Sequence, residues 1–238
     1  MGGFFGITST NDCVQDVFFG VDYHSHLGKM RAGMAAVNAE DGFQREIHNI
    51  ENTPFHTKFD NIAARLKGCA CIGCISDADP QPLLICSKFG VYAITIVGVI
   101  NNSDKIVEKY LATGSGVLQS MSGNRVNSTE IIAALIEQKD DLAEGIRYAQ
   151  GAIEGSASIL ILRENGNIIA ARDIFGRLPI LIGRREDGFC ASFESFAYEK
   201  LGFEPYSELK SGEISEISPS GVKTLVEGSN EMRICAFL

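Results

Sequence analysis

The sequence predicts an α+β domain in which two stacked sheets carry helices on their outer faces. Two observations predict it. The last third of the chain reads as successive hairpins of apolar strands with the turns ENGN, EDG and PSG at their tips. Stretches with apolar residues at helical spacing are interleaved among strands in the remainder. A chain of 238 residues, 45% of them hydrophobic, can bury the core that such a fold needs.

The elements follow in order. Residues 4–8 read as a short strand. Ser9, Thr10, Asn11 and Asp12 then offer capping oxygens to a helix marked by Val14, Val17, Phe18 and Val21. Residues 34–37 read as a strand, 59–66 as a helix stopped by Gly68, and 69–75 as a buried strand of small and apolar residues. Residues 82–86 and 90–100 form two strands joined through SKFG. Asn102 or Ser103 caps a helix over 104–111. Asn127 with Glu130 has the spacing of a capping box for a helix over 129–138, and 141–152 continues helical. The closing hairpins pair 158–163 with 168–172, 179–184 with 189–192, and 213–217 with 222–225. A short helix over 196–201 ends at Gly202.

Charge and composition exclude several classes of function. A net charge of −9 without a Lys/Arg cluster disfavours nucleic acid as a partner. No apolar run reaches 18 residues, so no membrane span is expected. The first residues lack the basic region of a signal peptide, and Gly6 breaks the myristoylation pattern. Seven cysteines, an odd number, suit reduced thiols in the cytoplasm. No cofactor is expected, and no linker is evident before the last dozen residues.

One stretch is more specific than the rest: IIAARDIFGRLPILIG, 168–183. It resembles the ARD-x-x-G-x-x-P-L segment of class-II glutamine amidotransferases, nearest to the glutaminase half of the amidophosphoribosyltransferases. Further pieces resemble that family in the same order. They are Gly3-Phe4-Phe5-Gly6-Ile7, YHSHLGKMRAGMA (23–35), IGCISDADPQP (72–82), VNSTEIIAALI (126–136), SFESFAYEKLGF (192–203) and SGEI (211–214). The resemblance implies a four-layer α-β-β-α sandwich of the N-terminal-nucleophile hydrolase type over residues 1–225. It also implies release of ammonia from glutamine for a phosphoribosyltransferase that opens purine synthesis. MRICAFL, residues 232–238, resembles the crossing into that second half, so 226–238 is expected to begin a connection to a phosphoribosyltransferase domain, and a homo-oligomer is expected.

The residues that carry the family's chemistry are altered here. Where the family has its nucleophilic cysteine stands Gly2, which has no side chain to attack an amide. The oxyanion-hole Asn-Gly matches Val97 and Gly98; Gly98 retains a backbone N–H and Val97 has no side-chain amide to donate. The arginine that holds the substrate carboxylate matches Ser76 and Asp77, with Cys74 in place of a histidine. The aspartate that holds the ammonium matches Ser128, and a second arginine matches Leu27. A knockout would change one position, so the expectation is a pseudo-glutaminase with a structural or regulatory role. Two alternatives stand beside it: a small-molecule sensor lined by Leu27, Cys74, Ser76, Asp77 and Ser128, and an active amidotransferase with an engineered Gly2.

Cys69-x-Cys71-x-x-Cys74 invites a metal reading, but strand alternation sends Cys74 to the face opposite Cys69 and Cys71, so no metal site is expected. Cys74 as a relocated nucleophile would need His24 or His26 as its base. Cys235 resembles an iron–sulfur ligand of some family members, whose partner ligands would lie past Leu238. His24, His26, His48 and His56 read as surface or pocket-edge residues, and Arg172 and Asp173 as holders of a turn.

Overall fold

The structure, a computed structural model, describes residues 2–114 and 116–233. Strand β1 (Gly2–Ser9) leads into α1 (Val14–Tyr23), a 3-10 turn (Ser25–Leu27), β2 (Arg31–Asn38), β3 (Gly42–Asn49), α2 (Phe55–Ala63) and β4 (Ala70–Ser76). Then come β5 (Leu83–Ser87), β6 (Gly90–Ile100), α3 (Ser103–Ala112), β7 (Met121–Ser122), β8 (Arg125–Val126), α4 (Ser128–Ile136) and α5 (Leu142–Ala152). The remainder is β9 (Gly155–Arg163), β10 (Ile168–Ala171), β11 (Leu181–Arg185), β12 (Gly188–Ser192), α6 (Ser195–Glu199), β13 (Glu204–Glu208), β14 (Ile214–Ser218) and β15 (Gly221–Val226).

Seven strands form one sheet in the order β13-β11-β12-β1-β4-β2-β3, and six form a second in the order β15-β14-β10-β9-β6-β5. Three apolar clusters define four layers. Phe5, Val17, Phe18, Met34, Phe59 and Cys71 join α1 and α2 to the outer face of the first sheet. Phe4, Ala35, Cys74, Val97, Leu160 and Ala191 fill the space between the sheets. Ile94, Ile132, Ile146, Ile159 and Ile161 join α4 and α5 to the outer face of the second. The expected α-β-β-α sandwich is therefore the observed fold.

Local differences from the sequence expectation have physical causes. Strand β2 extends past the expected 34–37 because both neighbours, β3 and β4, pair with it along its length. The unexpected β3 is an edge strand whose charges obscure its alternation, and the unexpected β13 is exposed throughout and held by pairing to β11. Helix α2 starts after Pro54, with Phe55 stacked on Phe59 at 4.6 Å, earlier than the expected 59. Asn127 caps α4 by accepting the Thr129 N–H at 2.8 Å, but no capping box closes. The Glu130 carboxylate instead accepts the N–H groups of Gln119 and Ser120, both at 2.8 Å.

At one end of β1 an ion network ties the β11–β12 hairpin to α1. Arg185 donates through Nε to Asp187 Oδ1 at 2.7 Å and through Nη2 to Asp16 Oδ2 at 2.8 Å. The Arg185 hydrogen bonds are the main cause that holds the Asp187 carboxyl down at about 2. A depressed folded pKa stabilises above the unfolded value and is lost as pH falls through the folded one. Stability is therefore expected to drop by about 1 kcal/mol between pH 5 and pH 2, a figure reduced for the solvent around the pair. Denaturant titration of Asp187→Asn should show that part of the acid dependence missing; identical slopes in both proteins would exclude the network as its source.

Candidate functional site

The other end of β1 is where the altered positions meet. Antiparallel pairing sets Gly2 beside Ser76 and Ser76 beside Arg31, and one step inward it sets Phe4 beside Cys74 and Cys74 beside Gly33. Side chains alternate along a strand, and Phe4, Ala35 and Cys74 belong to the inter-sheet core. Gly2, Ser76 and Arg31 therefore form a row on the inter-sheet face at the open end of the sandwich. A Cβ added to Gly2 would lie 2.5 Å from the carbonyl oxygen of Ile75. That contact is with backbone, so strand β1 approaches β4 more closely than a residue with a side chain allows.

Behind this row the inter-sheet space is filled by apolar groups. Phe4 stacks on Phe193 with ring centroids 4.2 Å apart. Val97 is buried in the same cluster. The Cys74 thiol, fully buried, is pushed up to about 12 by burial and donates to the Gln81 carbonyl at 3.4 Å. It is a core group and not a thiolate nucleophile.

The segment 77–82 lies against the start of α4. The Asp79 carboxylate accepts the Ser128 N–H at 3.0 Å, and Asn127 Nδ2 donates to the Pro80 carbonyl at 2.8 Å. The Asp77 carboxylate accepts the Lys29 N–H at 2.8 Å. Partial desolvation raises the Asp77 pKa, and this hydrogen bond with nearby positive charge outweighs it, leaving the carboxyl below its ordinary range. At the centre sits buried Gln81. Its Nε2 donates to the Ile96 carbonyl at 2.9 Å, and its Oε1 accepts Ile96 N–H, Thr95 Oγ1 and Thr129 Oγ1 at 2.8, 2.9 and 3.0 Å. The amide thus extends the ladder beside β6 past the end of β5.

Ile96 turns its backbone groups towards Gln81, and period two gives Gly98 the same direction, away from β9. Its N–H keeps the orientation of a donor at the strand end. A Cβ there would meet the Ser156 carbonyl oxygen, which restricts the position to glycine.

The structure brings together only part of the expected pocket. Ser76 and Asp77 stand at the open rim, and Ser128 joins them through Asp79. Cys74 is one row deeper. Leu27 lies on the other face of the sheet, against Gly3, whose added Cβ would lie 2.7 Å from Leu27 Cδ1. His24 is a correction: it is fully buried, not at a surface or pocket edge. Its Nδ1 lies 2.6 Å from the Gly20 carbonyl and its Nε2 3.2 Å from Ser192 Oγ, while burial lowers its pKa. It packs behind Gly3 on the helical face, so it does not reach Cys74. His26 pairs instead with Glu194 at 3.0 Å. Cys71 and Cys74 occupy opposite faces of β4, as alternation requires, and no cluster of metal-ligating residues occurs among the described residues. Cys235 lies outside the described residues.

The retained pieces act as scaffold. Arg172 Nη1 pairs with Glu208 at 2.7 Å and its Nη2 donates to the Gly176 carbonyl at 3.0 Å. Asp173 accepts the N–H groups of Phe175 and Arg177 at 2.9 and 2.7 Å, holding the turn. A cleft of 480 Å³ bounded by Arg184, Glu204 and Ser220 lies away from the row, beyond the far end of β1. Gln81 and Arg31 lie inside segments of the family resemblance that imply no role for either. A signal for Gln81 was its place before Pro82; for Arg31 none existed until register placed it beside Ser76.

Residues 67–197 match the model of the glutamine amidotransferase domain, more than half of the chain. The chain belongs to the glutamine amidotransferase domain family. It is 29% identical over 229 residues to an amidophosphoribosyltransferase of Methanocaldococcus jannaschii, a match covering 91% of this chain and 47% of that protein. It is 26% identical over 233 residues to the Bacillus subtilis amidophosphoribosyltransferase, again covering 47% of it. The B. subtilis glutamine phosphoribosylpyrophosphate amidotransferase structure, solved with ADP and GMP, superposes with a TM-score of 0.83 at 25% identity, over 98% of this chain and 51% of that one. A class-II domain protein from Silicibacter pomeroyi shares the fold, with a TM-score of 0.58 at 14% identity over 95% of this chain and 99% of that one. The chain thus spans about half the length of the amidophosphoribosyltransferases it matches, and their N-terminal-nucleophile hydrolase fold is its fold.

Proposed function

We propose that this amidotransferase domain is a pseudo-glutaminase of an amidophosphoribosyltransferase-type protein of purine biosynthesis, with a structural or regulatory role. The observation that carries the reading is Gly2 at the start of β1, seated against the Ile75 carbonyl where the family resemblance calls for a thiol. Val97 has no side-chain amide to offer an oxyanion, and losing one such donor costs about 10²–10³ in rate. The apolar surroundings of Phe4, Cys74 and Val97 support the same reading.

In this reading a phosphoribosyltransferase partner domain, in a cytoplasmic homo-oligomer, takes free ammonia. The expected result is no glutamate release from glutamine above the uncatalysed rate by the purified protein. Glutamate release that saturates with glutamine would overturn the proposal. A version of the chain including any partner domain should respond to ammonium salts and not to glutamine.

A further inference from the structure

We infer that the surface centred on Phe175 docks an acidic polypeptide segment, held by Arg147, Arg177 and Arg233. Phe175 is the one ring among the described residues that carries two cations. The Arg177 guanidinium lies 4.9 Å and the Arg233 guanidinium 5.2 Å from its centroid. The two positive charges are therefore within about 10 Å of each other, one Debye length at 0.1 M salt, and they repel unless a counter-charge joins them. Arg147 stands beside the same turn. Its Nη1 donates to the Gly212 carbonyl at 2.8 Å, and a Cβ on Gly212 would lie 3.6 Å from Ile174 Cα. None of the three arginines forms an ion pair with a described residue, whereas Arg163, Arg172 and Arg185 each meet a carboxylate. Arg31, Arg45 and Arg125 are also without an ion pair among the described residues, but none of them shares a ring with a second cation.

The carboxylates of the adjoining segments are engaged elsewhere. Asp173 accepts the N–H groups of Phe175 and Arg177, and Glu208 meets Arg172. Glu213 accepts the Lys210 N–H and the Ser215 hydroxyl, both at 2.9 Å. Exposed Glu231 forms an ion pair with none of the three arginines. Residues 229–233 cross this surface: Ser211 and Ser229 exchange backbone hydrogen bonds at 3.1 and 2.8 Å, and the Arg233 N–H donates to the Phe175 carbonyl at 2.7 Å. Arg147 and Arg233 are exposed, Phe175 and Arg177 are half-buried, and Met232 is 47% exposed, so the surface is open and has an apolar centre. A guanidinium on a ring uses its face and leaves its N–H edge for an acceptor, and its planar fork takes a carboxylate in two parallel hydrogen bonds. The cations come from three segments around one ring and not from the walls of one pocket, which suits several carboxylates in a row. Alternate side chains of an extended segment lie about 7 Å apart on one face, a spacing that fits charges disposed around a ring. Loss or retention of glutamine hydrolysis does not bear on this docking.

The test is NMR titration of the isotope-labelled chain with hexaglutamate and, separately, with hexaserine and inorganic tripolyphosphate. Saturable shifts at Arg147, Phe175, Arg177 and Arg233 with hexaglutamate are expected, weakening as salt is raised. The chain carries a net charge of −9, so an acidic peptide is repelled by most of its surface and a shift here reports the local arginines. Arg177→Gln combined with Arg233→Gln should weaken binding at least about tenfold, as expected for loss of charge-assisted pairs. Arg45→Gln, which removes one exposed positive charge from strand β3, should bind as the parent does. No saturable shift at these residues, equal binding of hexaserine, or equal weakening by Arg45→Gln would each overturn the assignment. Tighter binding of tripolyphosphate than of hexaglutamate would overturn it in favour of a phosphate site. Should the double variant fail to fold, Arg233→Gln alone decides: its affinity should fall, and an unchanged affinity would overturn the assignment as well.

Discussion

Replacing Gln81 with leucine is expected to destabilise the domain by about 4 kcal/mol, because it leaves a buried N–H and C=O of Ile96 unpaired at roughly 1–3 kcal/mol each. Leucine branches one atom earlier and is one bond shorter, so a small packing loss adds to the main one. The main loss is the amide that pairs both ways with Ile96 and accepts from Thr95 and Thr129. For a domain of this size the thermal midpoint should fall by about 10 °C. Gln81→Glu is the informative control: ionised, it cannot donate to the Ile96 carbonyl and places a charge in a buried site, and protonated it must take up a proton to regain a donor. Its midpoint should fall at least as far. A drop below about 2 °C for Gln81→Leu would mean that the segment 77–82 is held by Asp79 and Asn127 alone.

That dependence on one amide explains what the sequence did and did not reveal. The layers were legible because Phe5, Ile7, Cys71 and Phe4, Ile72, Cys74 alternate between two apolar environments, and alternation is a local signal. The edge strands were not legible. Residues 42–49 and 204–208 carry too many charged or exposed positions to show a period, and their partners β2 and β11 alone define them. The site was legible as a set of altered family positions, and Gly2, Ser76 and Asp77 do gather at one rim. Its assembly was not. Nothing in the spacing of Leu27 and Cys74 shows that a sheet separates them. Likewise, residues 31 and 76 become neighbours only through the β2–β4 register. His24 illustrates a third case, a polar residue whose burial depends on a carbonyl in the preceding turn and a serine from β12, distant in sequence.

Restoring a thiol by Gly2→Cys is expected not to restore glutamine hydrolysis, and to lower stability as well. An added Cβ would sit 2.5 Å from the Ile75 carbonyl oxygen, a backbone atom paired into the sheet, so β1 must shift from β4 to admit it. Overpacking of this kind costs about 1–3 kcal/mol, or roughly 3–10 °C in thermal midpoint. The shift would also disturb the row Gly2–Ser76–Arg31 on which a bound substrate would depend. Even an accommodated thiol would find Val97 in the apolar core and only the Gly98 N–H at the strand end. A single oxyanion donor missing lowers the rate about 10²–10³-fold, and the ammonium-binding position matches Ser128, whose N–H is held by Asp79. Glutamate release would be measured on protein whose start at position 2 is verified by mass spectrometry, so that the α-amino group is free to act as base. Turnover by Gly2→Cys alone would show that the pocket was never dismantled and that one residue accounts for its silence. Activity that returns only when Val97→Asn and Ser76→Arg are added would instead locate the loss across the whole rim, where the register of β1, β4 and β6 places it.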